Sequence, residues 1–544
     1  MLVTAHAGAF ARLDAFVAQR RSVDGTPGVA VALTDRDRTL RVVTYGDADQ
    51  ASGSPVTPST LFEIGSIGKS FTAIVCLQLR AAGLLDLDAP VTRYLPWFEV
   101  RSAHGPILLR HLLSHTAGII RGTDAVPDAR LEVWQLRETE TGGPPGERFH
   151  YSNVGYKAVG LVLERVLDRP YPEIVRERIL DPLGMNESEP AITHRIRPRL
   201  AVGYQPLVDD QPHTPGQALA PTTWLETDTA DGCIATTPGD LAMYLRMLLN
   251  RGAGPSGSVL ASESFSRLTE PLIEASAGIG YGLGIATQEV DGHSCLGHGG
   301  GMVGYLSDLY GDLDAGFGAV AFVNGPGRPG AITRYAVALL RAVAEDQPLP
   351  DLPAEENRSA VPDAAGYAGV YRAGARRLTV VPGDDSLSII APDGAVAPLR
   401  RAGKDTFLVN HPAFARFPLQ FGRQEERVVE VWHGADWYAG EGYTGPTVFE
   451  VPDGWEAYPG HYRSHNPWGT NFRVLLRGGQ LWIIDSGGIE GVADEEALIP
   501  IAPGCFRIGD DPASPERLRF DVVVDGQALR AIRSGAEYAR FFTG

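Results

Sequence analysis

Lysine is almost absent from this 544-residue chain, and one of its three copies stands beside a serine. Lys69, Lys157 and Lys404 are set against 45 arginines, so the composition strongly avoids lysine. Lys69 lies three residues after Ser66 in Phe62-Glu-Ile-Gly-Ser66-Ile-Gly-Lys69-Ser-Phe71. With three lysines and 25 serines, far fewer than one Ser-x-x-Lys tetrad is expected by chance. Arginine does not give up its proton at working pH, whereas a lysine amine can be tuned to do so. A serine with a tunable amine one helical turn away is the layout of an activated nucleophile. The pattern reads as serine acyl-transfer chemistry; the bland alternative is a helix-capping serine with a surface lysine.

Two further segments offer partners. Pro145-Gly-Glu-Arg-Phe-His-Tyr151-Ser-Asn153 is a polar loop entering a helix. A tyrosine close to an ammonium has its phenolate form favoured and can then accept a serine proton, which makes Tyr151 a candidate base. Asn153 brings both a donor and an acceptor to a substrate amide. Leu296-Gly-His298-Gly-Gly-Gly301-Met-Val-Gly304 places consecutive glycines just before a strand, where backbone can approach a ligand and aim an N–H at a reacting carbonyl. His298 would set a polar or cationic group beside the acyl substituent. Ser66, opening a helix, has its own N–H among the unpaired donors at the positive end of the dipole. Tyr-x-Asn alone is weak, and a flexible hairpin turn explains the glycines equally well. His111 and His115 are spaced like a metal pair, but no HExxH or third ligand accompanies them, so they read as structural residues around Leu112 and Leu113. Cys295 has nothing beside it to activate a thiol and reads as a small buried apolar residue.

These residues need a scaffold, and the first 345 positions supply alternating helical and strand-like segments. Residues 28–34 and 39–45 form a predicted hairpin around Asp35-Arg-Asp-Arg38. Residues 66–82 have helical spacing through Phe71, Ile74, Val75 and Leu79, stopped by Gly83. Further helices are expected over 154–167, 241–250 and 332–345, a buried strand over 319–324, and an amphipathic helix over 1–20. Strands at both ends with helices between predict an α+β domain, one antiparallel sheet beside a helical region. Residues 346–362 are a Pro-rich, acidic linker. Beyond it Tyr367-Ala-Gly-Val-Tyr-Arg372 recurs as Tyr458-Pro-Gly-His-Tyr-Arg463, Leu387-Ser-Ile-Ile390 as Leu481-Trp-Ile-Ile484, and Thr406-Phe-Leu408 as Cys505-Phe-Arg507. The expected organisation is a catalytic domain over 1–345, then duplicated modules over 363–450 and 451–544, each a small antiparallel barrel of roughly eight strands.

A net charge of -18 argues against a nucleic-acid partner, which requires a basic face. No window offers the roughly 18 uninterrupted apolar residues of a membrane span. Residues 1–20 lack the basic start and apolar stretch of a secretory signal, and four scattered cysteines suit a reducing compartment, so the expected location is cytoplasmic. The expected partner is a small-molecule or peptide substrate, with a homo-oligomer left open.

Taken together, Ser66-x-x-Lys69, Tyr151-x-Asn153 and His298-x-Gly300 resemble, in order, the motifs of the serine β-lactamase and penicillin-binding-protein family, in particular its class C-like branch with D-aminopeptidases, esterases and DD-peptidases. Leu109-Arg-His-Leu-Leu-Ser-His-Thr-Ala-Gly118, Pro182-Leu-Gly-Met185 and Asp231-Gly-Cys-Ile-Ala-Thr-Thr-Pro238 are also similar to family text. The resemblance covers roughly residues 10–345. It implies that Ser66 is acylated, that Lys69 and Tyr151 handle its proton, and that Asn153, His298 and Gly300 contact substrate. It further implies an oxyanion hole from the N–H groups of Ser66 and Gly301, with no cofactor and no metal. The trailing modules are similar to the barrels appended to D-aminopeptidases.

The triplet departs from true β-lactamases, where a lysine replaces His298 and helps hold the substrate carboxylate. The leading expectation is a D-aminopeptidase-like hydrolase of small peptides, amides or esters. A carboxylesterase or transacylase, a β-lactamase or DD-carboxypeptidase, and a catalytically silent binding protein stay as alternatives. The Gly-rich acidic segment 485–496 is a candidate to fold over the Ser66 pocket and favour substrates with a free amine.

Overall fold

The computed structural model describes residues 2–122, 128–354, 357–485, 489 and 495–541. Small and β-branched residues dominate 28–34, which suits a strand covered on both faces. That strand, β1 (Gly28–Thr34), is buried along its whole length. It belongs to a nine-stranded sheet with β2 (Thr39–Asp49), β3 (Ser54–Pro55), β4 (Ile273–Ser276), β5 (Ile279–Tyr281), β6 (Ala286–Val290), β7 (His293–Met302), β8 (Tyr305–Asp312) and β9 (Phe317–Val323). The order is β4-β5-β6-β7-β8-β9-β1-β2-β3, and Val31 on β1 stands opposite Ala321 on β9. The sheet is thus assembled from both ends of the first 345 residues.

Because side chains alternate along a strand, each face draws on different residues. Ala30, Ala32, Val320 and Phe322 point to the helical region, where they join α2 (Gly68–Ala81), α3 (Asn153–Leu167) and α4 (Pro238–Leu249) in one core with Phe71, Ile74 and Leu245. Val29, Val31, Ala319 and Ala321 point the other way, against Phe16 of α1 (Leu2–Asp24) and Leu340 of α5 (Pro329–Ala344). Phe71 stacks on Tyr244 at 3.8 Å between ring centroids, tying α2 to α4.

The chain after α5 runs back along α1, where Arg12 Nη1 donates to the carbonyls of Leu349 and Pro350 at 3.0 and 2.6 Å. Two closed eight-stranded barrels follow, between Gly369 and Ala439 and between Gly460 and Phe541. The repeated Tyr-x-Gly-x-Tyr-Arg text does the same work in both. Tyr371 donates its hydroxyl to the Tyr367 carbonyl at 2.8 Å, and Tyr462 to the Tyr458 carbonyl at 2.7 Å. Tyr367 packs on Phe407 and Phe421 of the fifth and sixth strands, and Tyr458 on Phe506 and Phe520 of the same two strands.

Two local expectations are corrected. Ser66 does not open the α-helix but sits on a 3₁₀ turn, Gly65–Ile67, that leads into α2. The glycines after His298 do not precede a strand; they lie inside β7, with His298 opposite Leu309 and Gly301 opposite Leu306.

Candidate active site

The turn carrying Ser66 is fixed from three sides. Ile64 donates its N–H to the Ile234 carbonyl at 3.0 Å, and its own carbonyl accepts the Ser307 hydroxyl at 2.9 Å. Gly65 has φ of +50°, and a Cβ there would lie 2.4 Å from the Gly301 carbonyl oxygen. A Cβ on Gly300 would meet the Ile64 carbonyl oxygen at 1.9 Å. The glycine run therefore lets β7 lie directly on the backbone before Ser66, which no side chain would permit.

Lys69, one turn on, is fully buried. Its Nζ donates to Ser66 Oγ at 3.0 Å and to the Asp231 carbonyl at 2.8 Å. It stands 4.9 Å from the Tyr151 ring centroid and 5.5 Å from that of Tyr156, and it makes no ion pair among the described residues. Tyr151, 85 residues away in sequence, donates its hydroxyl to Ser66 Oγ at 2.7 Å. One serine oxygen is thus held between an amine and a phenol. Ser152 caps α3, accepting the Gly155 N–H at 3.1 Å, and Asn153 begins that helix. Asn153 Oδ1 is shielded from solvent without a hydrogen-bond partner among the described residues.

His298 accompanies this cluster from β7. Its Nδ1 lies 2.5 Å from the Gly299 carbonyl, so that nitrogen carries the proton, and its Nε2 accepts from the Tyr281 hydroxyl at 3.0 Å. Burial pushes its pKa down to about 4, with the Lys69 ammonium acting in the same direction. A pKa held that low favours the neutral, hydrogen-bonded ring over the cation at neutral pH.

Several contributors escaped the sequence reading. His115 packs 4.2 Å from the Tyr151 ring and accepts the Ser152 N–H on Nδ1 at 3.0 Å. Burial, then the Lys69 charge, hold it well below the usual imidazole range, so it supports the loop as a neutral acceptor. Tyr156 donates to the Leu113 carbonyl at 2.5 Å beneath Lys69, and Tyr281 joins His115 to His298. His115 and Tyr156 lie within segments already singled out and Tyr281 does not, and a contact across the fold has no sequence period. No group of three or more metal-ligating side chains forms among the described residues. Most of segment 485–496 lies outside the described residues. Among them, no helix is long and apolar enough to cross a membrane.

Comparison with known proteins bears on the fold and the family. The chain is 27% identical over 376 residues to "Penicillin-binding protein 4" of Amycolatopsis lactamdurans, covering 64% of this chain and 94% of that protein. Its fold is similar to that of the octameric penicillin-binding protein homologue from Pyrococcus abyssi, with a TM-score of 0.60, 24% identity, and coverage of 80% of this chain and 99% of that one. It is also similar to the D-amino acid amidase from Ochrobactrum anthropi SV3, with a TM-score of 0.52, 23% identity, and coverage of 63% and 99%. The Beta-lactamase family description matches residues 13–342. The chain belongs to the β-lactamase family, a family of serine hydrolases.

Proposed function

We propose that this chain hydrolyses small peptides, amides or esters through an acyl-enzyme at Ser66, in the manner of a D-aminopeptidase. One observation carries the reading: Ser66 Oγ is bonded at once to Lys69 Nζ at 3.0 Å and Tyr151 OH at 2.7 Å. In the reactive form the Lys69–Tyr151 pair has given up one proton, as free amine or phenolate, and Ser66 Oγ attacks the substrate carbonyl while its proton passes to that vacant position. The N–H groups of Ser66 and Gly301 face the developing oxyanion. The pair then returns the proton to the leaving amine or alcohol as the carbon–nitrogen or carbon–oxygen bond breaks. Water releases the acyl group by the same steps in reverse.

Asn153 and the His298–Gly300 edge orient the substrate. A neutral His298 gives a carboxylate no cationic partner, which favours amides and peptides over substrates held by an anionic group. The proposed division is a catalytic unit over 1–345, a linker over 346–362, and barrels over 363–450 and 451–544. The D-amino acid amidase that shares the fold makes D-aminoacyl amides the first compounds to try.

The test is a screen of D- and L-aminoacyl p-nitroanilides, p-nitrophenyl esters and nitrocefin, with fluorophosphonate labelling and Ser66→Ala as control. D-aminoacyl turnover lost in Ser66→Ala is the expected result. Turnover of esters alone points to a carboxylesterase, acyl passage to added amines to a transacylase, and nitrocefin turnover to a β-lactamase. A folded protein without any Ser66 adduct returns the chain to a binding role.

A further inference from the structure

We infer that Glu516, carried by the second barrel, is a positioning residue for the Ser66 site, bracing the segment that bears Tyr151 and Asn153 from both sides. For its catalytic consequence this rests on the function proposed above; its structural content stands apart from it.

Residues 150–152 precede α3, which Asn153 begins, and lack regular pairing of their own. They are held instead by neighbours. The Arg121 carbonyl accepts the N–H groups of Asn153 and Val154 at 2.7 and 3.3 Å, and the His115 carbonyl accepts that of His150 at 2.7 Å. Glu516 reaches both flanks of this arrangement. Its Oε1 accepts the Arg121 N–H at 2.7 Å and lies 3.0 Å from His150 Nε2, which must donate, because a carboxylate only accepts. Its other oxygen accepts the Ser534 hydroxyl. Every described contact of this carboxylate is therefore spent on holding protein groups. Arg121 also places its guanidinium 5.8 Å from the Tyr151 ring.

Burial alone would raise the Glu516 carboxyl; the bonds from His150, Ser534 and the Arg121 N–H outweigh it and hold the group below the usual carboxylate range. The surrounding contact is close. A Cβ on Gly142 would lie 1.9 Å from the Ala513 carbonyl oxygen, so the barrel turn rests on catalytic-unit backbone. Next to this turn, the links from Arg148 to Asp511 and from Arg517 to Glu140 are more exposed and contribute little. Glu516, with its side chain 20% exposed, is the covered carboxylate at this turn.

The experiment uses the full chain with Glu516→Ala and Glu516→Gln. It reads the fluorophosphonate labelling rate at Ser66, amide hydrogen exchange over residues 147–156, and thermal melting. Glu516→Ala is expected to slow labelling about tenfold to a hundredfold, as a small misplacement of a catalytic group does, and to speed exchange in 147–156 alone. Glu516→Gln, whose amide oxygen still accepts the Arg121 N–H, is expected to keep more of the rate. Wild-type labelling and exchange in a folded Glu516→Ala protein overturn the inference, as does faster exchange spread over the whole chain. Should Glu516→Ala fail to fold, Glu516→Gln is read by the same criteria. If the wild type leaves Ser66 unlabelled, the hydrolase reading falls, and exchange in 147–156 alone decides the brace: faster upholds it, unchanged overturns it.

Discussion

The two barrels are built alike and spend their likeness differently. Each keeps a buried tyrosine bonded to the carbonyl four residues back, and each packs a second tyrosine on phenylalanines of its fifth and sixth strands. They diverge in the turn between those two strands. In the first barrel this turn carries Phe417, which lies 6.0 Å from the Arg473 guanidinium of the second barrel. In the second barrel the corresponding turn carries Glu516, which bonds Arg121 and His150 beside Tyr151. Arg463 and Arg473 of the second barrel also pair with Asp209 and Asp210 of the catalytic unit at 2.6 and 2.7 Å. The first barrel leans on the second, and the second leans on the site. The same core supports either use, because strand pairing and apolar packing fix a barrel while its turns stay free to vary.

Breaking this contrast requires a baseline. Ser66→Ala is expected to cut turnover at least about a thousandfold with both barrels intact, measured on the best substrate of the screen. Activity within tenfold of wild type would remove the site from the comparison altogether.

The next effect separates the catalytic unit from the barrels by pH. Burial pushes the Glu63 carboxyl up to about 8, against an ordinary value of 4.5. Asp405 and Asp521 in the barrels are held below the usual range, first by arginine hydrogen bonds. A raised carboxyl stabilises the fold fully below its unfolded value and loses that contribution as pH climbs through the folded one. Between pH 5 and pH 9 the wild type should lose on the order of 3 kcal/mol through Glu63. Urea melts should show a flatter pH response in Glu63→Gln, and identical slopes would exclude the mechanism.

Smaller effects test the barrels directly. Phe417→Ala should leave Ser66 labelling within about twofold of wild type, since distant independent sites do not couple, whereas Glu516→Ala slows it at least about tenfold. Equal losses in both variants would erase the distinction between the turns. Tyr371→Phe and Tyr462→Phe should each cost about 1 kcal/mol, the ordinary worth of one hydrogen bond. Clearly unequal costs in denaturant melts would mean that the repeated tyrosines are not equivalent.

Much of this molecule was legible before any coordinates. The run of valines and alanines in β1, the helical spacing after Ser66 and the echo of Tyr367 at Tyr458 each reflect a local rule, so each could be read from neighbours in sequence. The Ser-x-x-Lys spacing likewise placed two groups together, because three residues are nearly one helical turn. His115 and Glu516 were not legible in this way. His115 resembled half of a metal pair and Glu516 drew no reading, since nothing nearby in sequence marks what they touch.

Residue types and spacing along the chain were enough for the pairing of Ser66 with Lys69, the strand and helix periods, and the repeat in the last modules, all of which depend on residues close together in sequence. It took the packed fold to show that Tyr151 meets Ser66, that His298 is engaged at both nitrogens, and that Glu516 stands behind the Tyr151 loop. Those facts depend on burial and on contacts between distant segments, which arise when a chain packs and which no local period encodes.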